Sequence, residues 1–389
     1  MWKFYRARGV GEARHNEQDE QFNGIERKET VMQEKQGRKM KDEIALPQAR
    51  RTFLKGAMAA GALGMTAFTK SRAETGRAGS QNSESAAASA QRVKKIAVEE
   101  HCMPKGFLAI LQAKSSGHLP GVKGAAEKVV DLGDARIAEM DRCGVDMQVL
   151  SLSFPALELF QNAEDAIAAS KASNDEIATA VQKYPKRFAG FCSVPLQDPN
   201  AAAEELERAV TKLGLQAVMV NENTPNRWLA DQKYSVFFET LAKLNVPIYL
   251  HADGPSDDDS GLHVVPEVMR LVESDLLVKH PNLQFILGHS GESIPFWLNR
   301  FDGRWRDHAN RPKFSEYIKK NFYVTTSSQC WPTLLDFLIA TMGSDRIMFA
   351  TDYPYEVTEN AVKFIDTAPI SDGDREKICH SNAEKLLKL

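Results

Sequence analysis

From residue 92 to its end the chain repeats one pattern eight times: a short apolar run, then a longer helical stretch. The runs lie at 95–101, 147–152, 188–194, 217–221, 247–251, 284–289, 321–327 and 346–352. Most are rich in Val, Ile, Leu, Phe and Ala, as parallel strands covered on both faces must be. Between them, 134–143 spaces Ile137, Met140 and Cys143 for one helix face and stops at Gly144. Further helices are expected at 163–184, closed by Pro185, and at 200–213, stopped by Gly214. The rhythm continues through 233–244, 262–279, 292–307 and 312–320, the last with proline in its first turn. Eight such units in about 300 residues predict one α/β domain, a (β/α)8 TIM barrel. The rival is an open, doubly wound sheet.

Polar residues at the strand ends separate the two. Six runs carry one at or just past the C-terminal end: Glu99-Glu100-His101, Asn221, His251, His289, Thr325-Thr326-Ser327 and Asp352. In an open sheet in sequence order, a strand spacing of roughly 4.8 Å puts the first and eighth strands about 34 Å apart. In a closed barrel they are neighbours, and strands 1, 5, 6 and 8 open onto one mouth, where barrels build their active sites. Glu99 and His101 are two apart on a strand, so they point the same way and Glu100 points opposite. With His251 and Asp352 they supply two carboxylates and two imidazoles, a set that suits Zn²⁺, Mn²⁺ or a similar divalent ion. An all-oxygen set would have suited Mg²⁺ or Ca²⁺. Each residue also has a plainer reading: a strand-end histidine as a bonded loop residue, and Asp352, before Tyr353-Pro354, as a helix cap. Four metal-type residues at three strand ends of one mouth favour the ion. His289 and Glu292, three apart, are expected to form a dyad in which the carboxylate orients the imidazole. The plainer reading of Glu292 is a first-turn acid stabilised by the helix dipole. Arg300 is a candidate for an anionic substrate group, or a solvated surface arginine.

Composition narrows the partners. Of 389 residues, 43% are hydrophobic and 26% charged, with Lys+Arg 49 against Asp+Glu 52. Without a basic excess, no nucleic-acid partner is expected. Five scattered cysteines with no CxxC spacing argue against a disulfide framework or a cysteine-rich zinc site. Residues 1–49 are polar and read as a disordered extension. Arg50-Arg51-Thr52-Phe53-Leu54-Lys55, an uncharged run at 56–68 and Ser71-Arg72-Ala73 read as a secretory signal at 50–73, too short for a stable membrane span. It resembles a twin-arginine translocation signal, which implies export to the periplasm; an unused signal would leave the chain in the cytoplasm. The rival is a short amphipathic helix retained by the protein. Residues 74–91, mostly Ser, Ala, Gly, Gln and Glu, are a linker, and 92–389 form the barrel.

From Lys95 onward the chain resembles the amidohydrolase-related decarboxylases, the group of γ-resorcylate, 2,3-dihydroxybenzoate and aminocarboxymuconate-semialdehyde decarboxylases. The residues that carry the likeness are Val98-Glu99-Glu100-His101, Arg136-Ile137-Ala138-Glu139-Met140-Asp141, Tyr249-Leu250-His251, Gly288-His289-Ser290-Gly291-Glu292 and Thr351-Asp352-Tyr353-Pro354. The resemblance implies a barrel of the metal-dependent hydrolase type holding one divalent ion, Mn²⁺ or Zn²⁺, on Glu99, His101, His251 and Asp352. His289 and Glu292 match the family's dyad, and Asn221, Arg300 and Tyr355 fall where substrate is contacted. It implies non-oxidative decarboxylation of a hydroxylated aromatic or related unsaturated carboxylic acid. The ring carbon would be protonated by Asp352 or His289, with no redox cofactor. Glu-x-His in place of the commoner His-x-His is similar to the dihydroxybenzoate branch. The acidic stretch 252–259 after His251 departs from what an aromatic-acid pocket suggests. A metal-dependent hydrolase of a lactone, ester or amide is the alternative, with His289 as base. A non-catalytic exported binding protein is the third reading. Homo-oligomers are common on this scaffold.

Overall fold

A computed structural model describes residues 92–114, 125–154, 156–222, 228–252, 264–305 and 310–389. The expected extension, signal and linker lie outside the described residues, as does the acidic stretch from residue 253. All eight strands form: β1 Ile96–Cys102, β2 Met147–Leu152, β3 Phe188–Cys192, β4 Ala217–Glu222, β5 Ile248–Ala252, β6 Phe285–Leu287, β7 Phe322–Thr325 and β8 Ile347–Met348. They are parallel and run in sequence order around one sheet. Main-chain hydrogen bonds then carry the ladder from the last strand back to the first. Val98 N donates to Phe349 O at 3.0 Å, Asp352 N to Glu99 O at 3.1 Å and His101 N to Tyr353 O at 2.7 Å. The sheet therefore closes, and the open alternative is excluded.

The helices follow local chemistry. Residues Ala163–Lys183 start where the Asn162 side chain accepts from Asp165 N, and Pro199–Thr211 where Asp198 accepts from Asn200 N and Ala201 N. Asp134–Cys143 ends on Gly144 at φ 82°, a left-handed position that glycine takes without strain. The expected single helix at 262–279 is two, Val264–Glu273 and Leu276–Lys279. At the break, Ser274 Oγ accepts from Leu276 N at 3.2 Å, so a side chain restarts the second segment. Sequence reading passed over Lys105–Lys114, Pro332–Met342 and Thr358–Thr367, which complete the ring after β1, β7 and β8.

Two apolar layers result. Ile96, Val98, Val149, Phe191, Met219, Tyr249, Ile286 and Met348 fill the barrel interior. Leu150, Val218, Leu250, Leu287 and Ile347 alternate with them and pack outward on the helices. β1 breaks this alternation. Ala97 pairs with Gln148 but Glu100 pairs with Leu150, so one extra residue is accommodated in β1. The bulge reverses the phase: Ile96 and Val98 face inward, and beyond it Glu99 and His101 do, while Glu100 turns outward.

Candidate metal centre and active site

Glu99 is fully buried at the C-terminal mouth of the barrel. Its Oε2 accepts from Tyr249 Oη, Ser327 Oγ and Thr325 Oγ1, the last at 2.9 Å. Its Oε1 accepts no hydrogen bond. That oxygen instead faces His251 Nε2 at 3.3 Å and His289 Nε2 at 3.4 Å. Across the seam, Asp352 Oδ1 lies 3.3 Å from His101 Nε2 and Oδ2 lies 3.7 Å from His289 Nε2. Ser328 Oγ donates to the same Oδ2. The His101 and His251 rings meet edge-on with centroids 4.7 Å apart. Donor atoms of Glu99, His101 and His251 lie within 4.8 Å of one another, as do those of Glu99, His289 and Asp352.

These residues fit a divalent ion. Glu99 Oε1 and both ring nitrogens of His101 are buried without a hydrogen-bond partner. Each such atom costs about 1–3 kcal/mol unless something satisfies it. A mixed set of imidazole and carboxylate donors around one point is what Mn²⁺ or Zn²⁺ binds. Three hydroxyls on the far oxygen of Glu99 fix that carboxylate, as supporting groups fix ligands at metal sites. Gly288 makes room for it: a Cβ there would stand 3.1 Å from Tyr249 Oη and 3.2 Å from Glu99 Oε1.

The electrostatics agree. Burial pushes the Glu99 carboxyl up, but His289 and His251 outweigh it and hold the group at about 2. Asp352 is likewise raised by burial and then held well below the usual carboxylate range by His101 and His289. His289 is lowered by burial but carried well above the ordinary imidazole value by Glu99, Asp352 and Glu292. Two ionised carboxylates thus converge on one buried point. His289 Nδ1 hydrogen-bonds Glu292 Oε1, which forms the expected dyad and turns Nε2 toward the cluster. The backbone bearing it is strained: φ is 45° at His289, 62° at Ser290, 80° at Gly291, 49° at Glu292 and 66° at Ser293. Left-handed conformation costs non-glycine residues roughly 1–2 kcal/mol each, and such segments gather at functional sites. It also ends β6 earlier than the apolar run suggested.

Behind the site, Glu100 accepts from Thr351 N at 2.8 Å, Thr351 Oγ1 at 2.6 Å and Gln148 Nε2 at 3.0 Å. Burial nevertheless pushes its carboxyl up to about 8. Gln148 Oε1 accepts from Arg136 Nε at 2.8 Å, and Arg136 Nη2 donates to His101 O at 2.6 Å. The Arg136 guanidinium also lies 4.3 Å from the Tyr353 ring centre. This buried network ties β1, β2 and the residues after β8 together at the seam. Sequence reading marked Arg136 only as part of a motif. A lone arginine within the buried stripe of 134–143 was the available signal.

Other expected residues sit as follows. Asn221 is paired in register with His251, is buried, and its Oδ1 has no hydrogen-bond partner. The Tyr355 ring is 5.4 Å from that of His101, and its hydroxyl hydrogen-bonds Ser153 Oγ. Arg300 is exposed on helix Ile294–Arg304, with its guanidinium 5.9 Å from the Trp297 ring centre. Glu99, His101, His251, His289, Glu292 and Asp352 are brought together, whereas Arg300 lies on an exposed helix position. Sequence reading gave no role to Tyr249, Thr325, Ser327, Ser328 or Ser153, all of which bond to site residues.

The profile of the amidohydrolase family matches residues 114–389. The γ-resorcylate decarboxylase of Rhodococcus jostii (strain RHA1) is 34% identical over 329 residues, which is 76% of this chain and 98% of that protein. That of Rhizobium sp. (strain MTP-10005) is 35% identical over 328 residues, again 76% and 98%. Among solved structures, 2,6-dihydroxybenzoate decarboxylase complexed with 2,6-dihydroxybenzoate has a TM-score of 0.68 at 32% identity, covering 77% of this chain and 100% of that one. A dihydroxybenzoic acid decarboxylase from Polaromonas sp. JS666, with bound manganese and 2-nitroresorcinol, has a TM-score of 0.69 at 33% identity, covering 77% and 98%.

Proposed function

The chain belongs to the amidohydrolase family, and on that premise we propose that it is a metal-dependent carboxy-lyase, releasing CO₂ from a hydroxylated aromatic carboxylic acid without an oxidant. The observation that supports its metal dependence is Glu99 Oε1, buried and unbonded between two histidines at the point where Asp352 also arrives. Glu99, His101, His251 and Asp352 would hold one divalent ion. When bound, that ion supplies Lewis-acid stabilisation for the oxygens of the substrate carboxylate and its neighbouring hydroxyl.

Decarboxylation needs a proton at the ring carbon that carries the carboxylate. The new C–H bond forms there, the C–C bond breaks, and its electron pair restores the aromatic ring as CO₂ leaves. His289 and Asp352, 3.7 Å apart, are where this chain keeps that proton. With Asp352 among the residues that would hold the ion, the imidazole is the group left to carry it. Glu292, on Nδ1, fixes the ring so that Nε2 serves the reaction. Asn221 Oδ1 accepts from a ring hydroxyl, a bond it otherwise lacks. Tyr355 offers a ring face beside His101.

Hydrolysis of a lactone, ester or amide would use the same residues, but the relatives named above are decarboxylases. Assaying CO₂ release from a panel of hydroxybenzoates, beside lactone and ester turnover, with Mn²⁺ or Zn²⁺ added, separates the two. Release of CO₂ from at least one hydroxybenzoate is expected; lactone or ester hydrolysis without it would replace this reading. Export through Arg50-Arg51 is a separate part of the proposal. Changing both to Lys should shift the protein from the periplasmic to the cytoplasmic fraction. Self-association, suggested by the resemblance alone, is tested by sedimentation.

A further inference from the structure

Beside the dyad lies a cavity of about 400 Å³, between the helix after β6 and the helix after β7. His289 forms one wall, and Ser293, Phe296, Trp331, Leu334 and Phe337 form much of the rest. Its size is that of a small-molecule site, ~300–1,000 Å³. The cavity shares its wall with the reacting centre, since the same imidazole stands 3.4 Å from Glu99 Oε1. No Asp, Glu, Lys or Arg lines it. At its edge Phe296 is 70% and Trp331 59% exposed, large apolar surfaces left in water next to a catalytic histidine. Ser293, one of the lining residues, is held at φ 66°.

We propose that this cavity is a subsite for an uncharged, mainly apolar substituent on the substrate ring, so that the preferred acid is an alkyl- or aryl-substituted hydroxybenzoate rather than the bare dihydroxy acid. The inference rests on the decarboxylase reading for the position of the ring, and it adds what lies beyond the ring. Apart from His289 no ionisable residue lines the cavity, and its apolar walls disfavour a second carboxylate or a phosphate there.

The test measures kcat/KM for CO₂ release from dihydroxybenzoates carrying hydrogen, methyl, propyl or pentyl at one ring position, on the metal-loaded enzyme. It is repeated for each open ring position. In one of these series kcat/KM is expected to rise about fourfold per methylene over the first carbons, the value of burying a CH₂ group. Leu334→Trp fills the cavity and should collapse the ratio of pentyl to unsubstituted acid toward one. Trp331→Ala, at the rim, should lower that ratio severalfold and serves if Leu334→Trp does not fold. A parallel titration with alkylresorcinols of the same chain lengths reads the subsite by binding alone. Flat or falling series at every position in the parent protein, or a slope that survives both substitutions, overturns the subsite. Absence of CO₂ from every acid strikes at the decarboxylase reading instead, and the alkylresorcinol series then still decides whether the cavity takes an apolar chain.

Discussion

The backbone amide of Asp352 donates to the carbonyl oxygen of Glu99 at 3.1 Å. The first strand's glutamate and the aspartate that follows the last strand are thus tied through the main chain. Closing the sheet brings together the residues proposed to hold the ion.

Removing a ligand should therefore remove the metal while leaving the barrel standing. Glu99→Gln, His101→Ala and His251→Ala are each expected to lower bound Mn²⁺ or Zn²⁺ and to cut kcat by 100-fold or more, on the order of what disturbing a metal site costs. Elemental analysis with circular dichroism checks both halves. A stripped parent protein should lose activity, regain it with added metal, and melt lower without it. At a metal concentration 100 times Kd the stabilisation is about 2.7 kcal/mol.

Gly288→Ala tests the close approach behind Glu99. The new Cβ would meet Tyr249 Oη at 3.1 Å and Glu99 Oε1 at 3.2 Å, both tighter than ordinary contact. The fold should survive, and the Kd for Mn²⁺ should rise about tenfold. Electron paramagnetic resonance of free Mn²⁺ reads this directly.

Glu292→Gln should spare the metal and slow the chemistry. The Glu292 carboxylate is one of the charges that carry His289 well above the ordinary imidazole value. Removing it lowers that value, so the alkaline limb of the rate profile should move to lower pH. A fall in kcat of roughly 10²–10⁴ is expected for a lost acid–base partner. Unchanged metal content with a displaced limb is the result to look for; an unmoved limb would count against the dyad.

The seam network carries a stability prediction. Arg136→Met leaves Gln148 Oε1 and the carbonyl of His101 without their donors, and removes the buried cation nearest Glu100. A loss of about 1–3 kcal/mol for each buried acceptor left without its donor is expected. Urea denaturation measures it.

Glu100 should also leave a mark on the pH dependence of stability. Its folded value, about 8, lies above the ordinary 4.5. The folded state therefore binds the proton more tightly than the unfolded chain does. That contribution is fully present below pH ~4.5 and is lost as pH rises through ~8. Glu100→Gln cannot titrate, so its stability should vary less between those limits, even if its absolute stability is lower. Equal slopes for the two proteins would show that Thr351 and Gln148 keep the carboxylate ionised in the fold.

How far the sequence reaches is clearest at β1. Eight apolar runs in parallel rhythm fixed the strand count and their order, because burial on both faces leaves a composition that can be read locally. Glu99, His101, His251, His289 and Asp352 were legible as a set because they fall at C-terminal strand ends, where a closed barrel gathers side chains. The shared face of Glu99 and His101, with Glu100 opposite, was also read from their spacing; the bulge that turns that face inward was not legible. Alternation from the inward Ile96 and Val98 would place Glu100 inside and Glu99 outside; the bulge between Ala97 and Glu100 inverts that. A bulge depends on how β1 registers against its neighbours, which no stretch of sequence encodes by itself. The same holds for the hydroxyls of Tyr249, Thr325 and Ser327 on Glu99, and for Arg136 reaching the His101 carbonyl. The residue types and their places along each strand came from the sequence. What holds Glu99 in place was decided by closure, since only closure brings those distant side chains within hydrogen-bond reach.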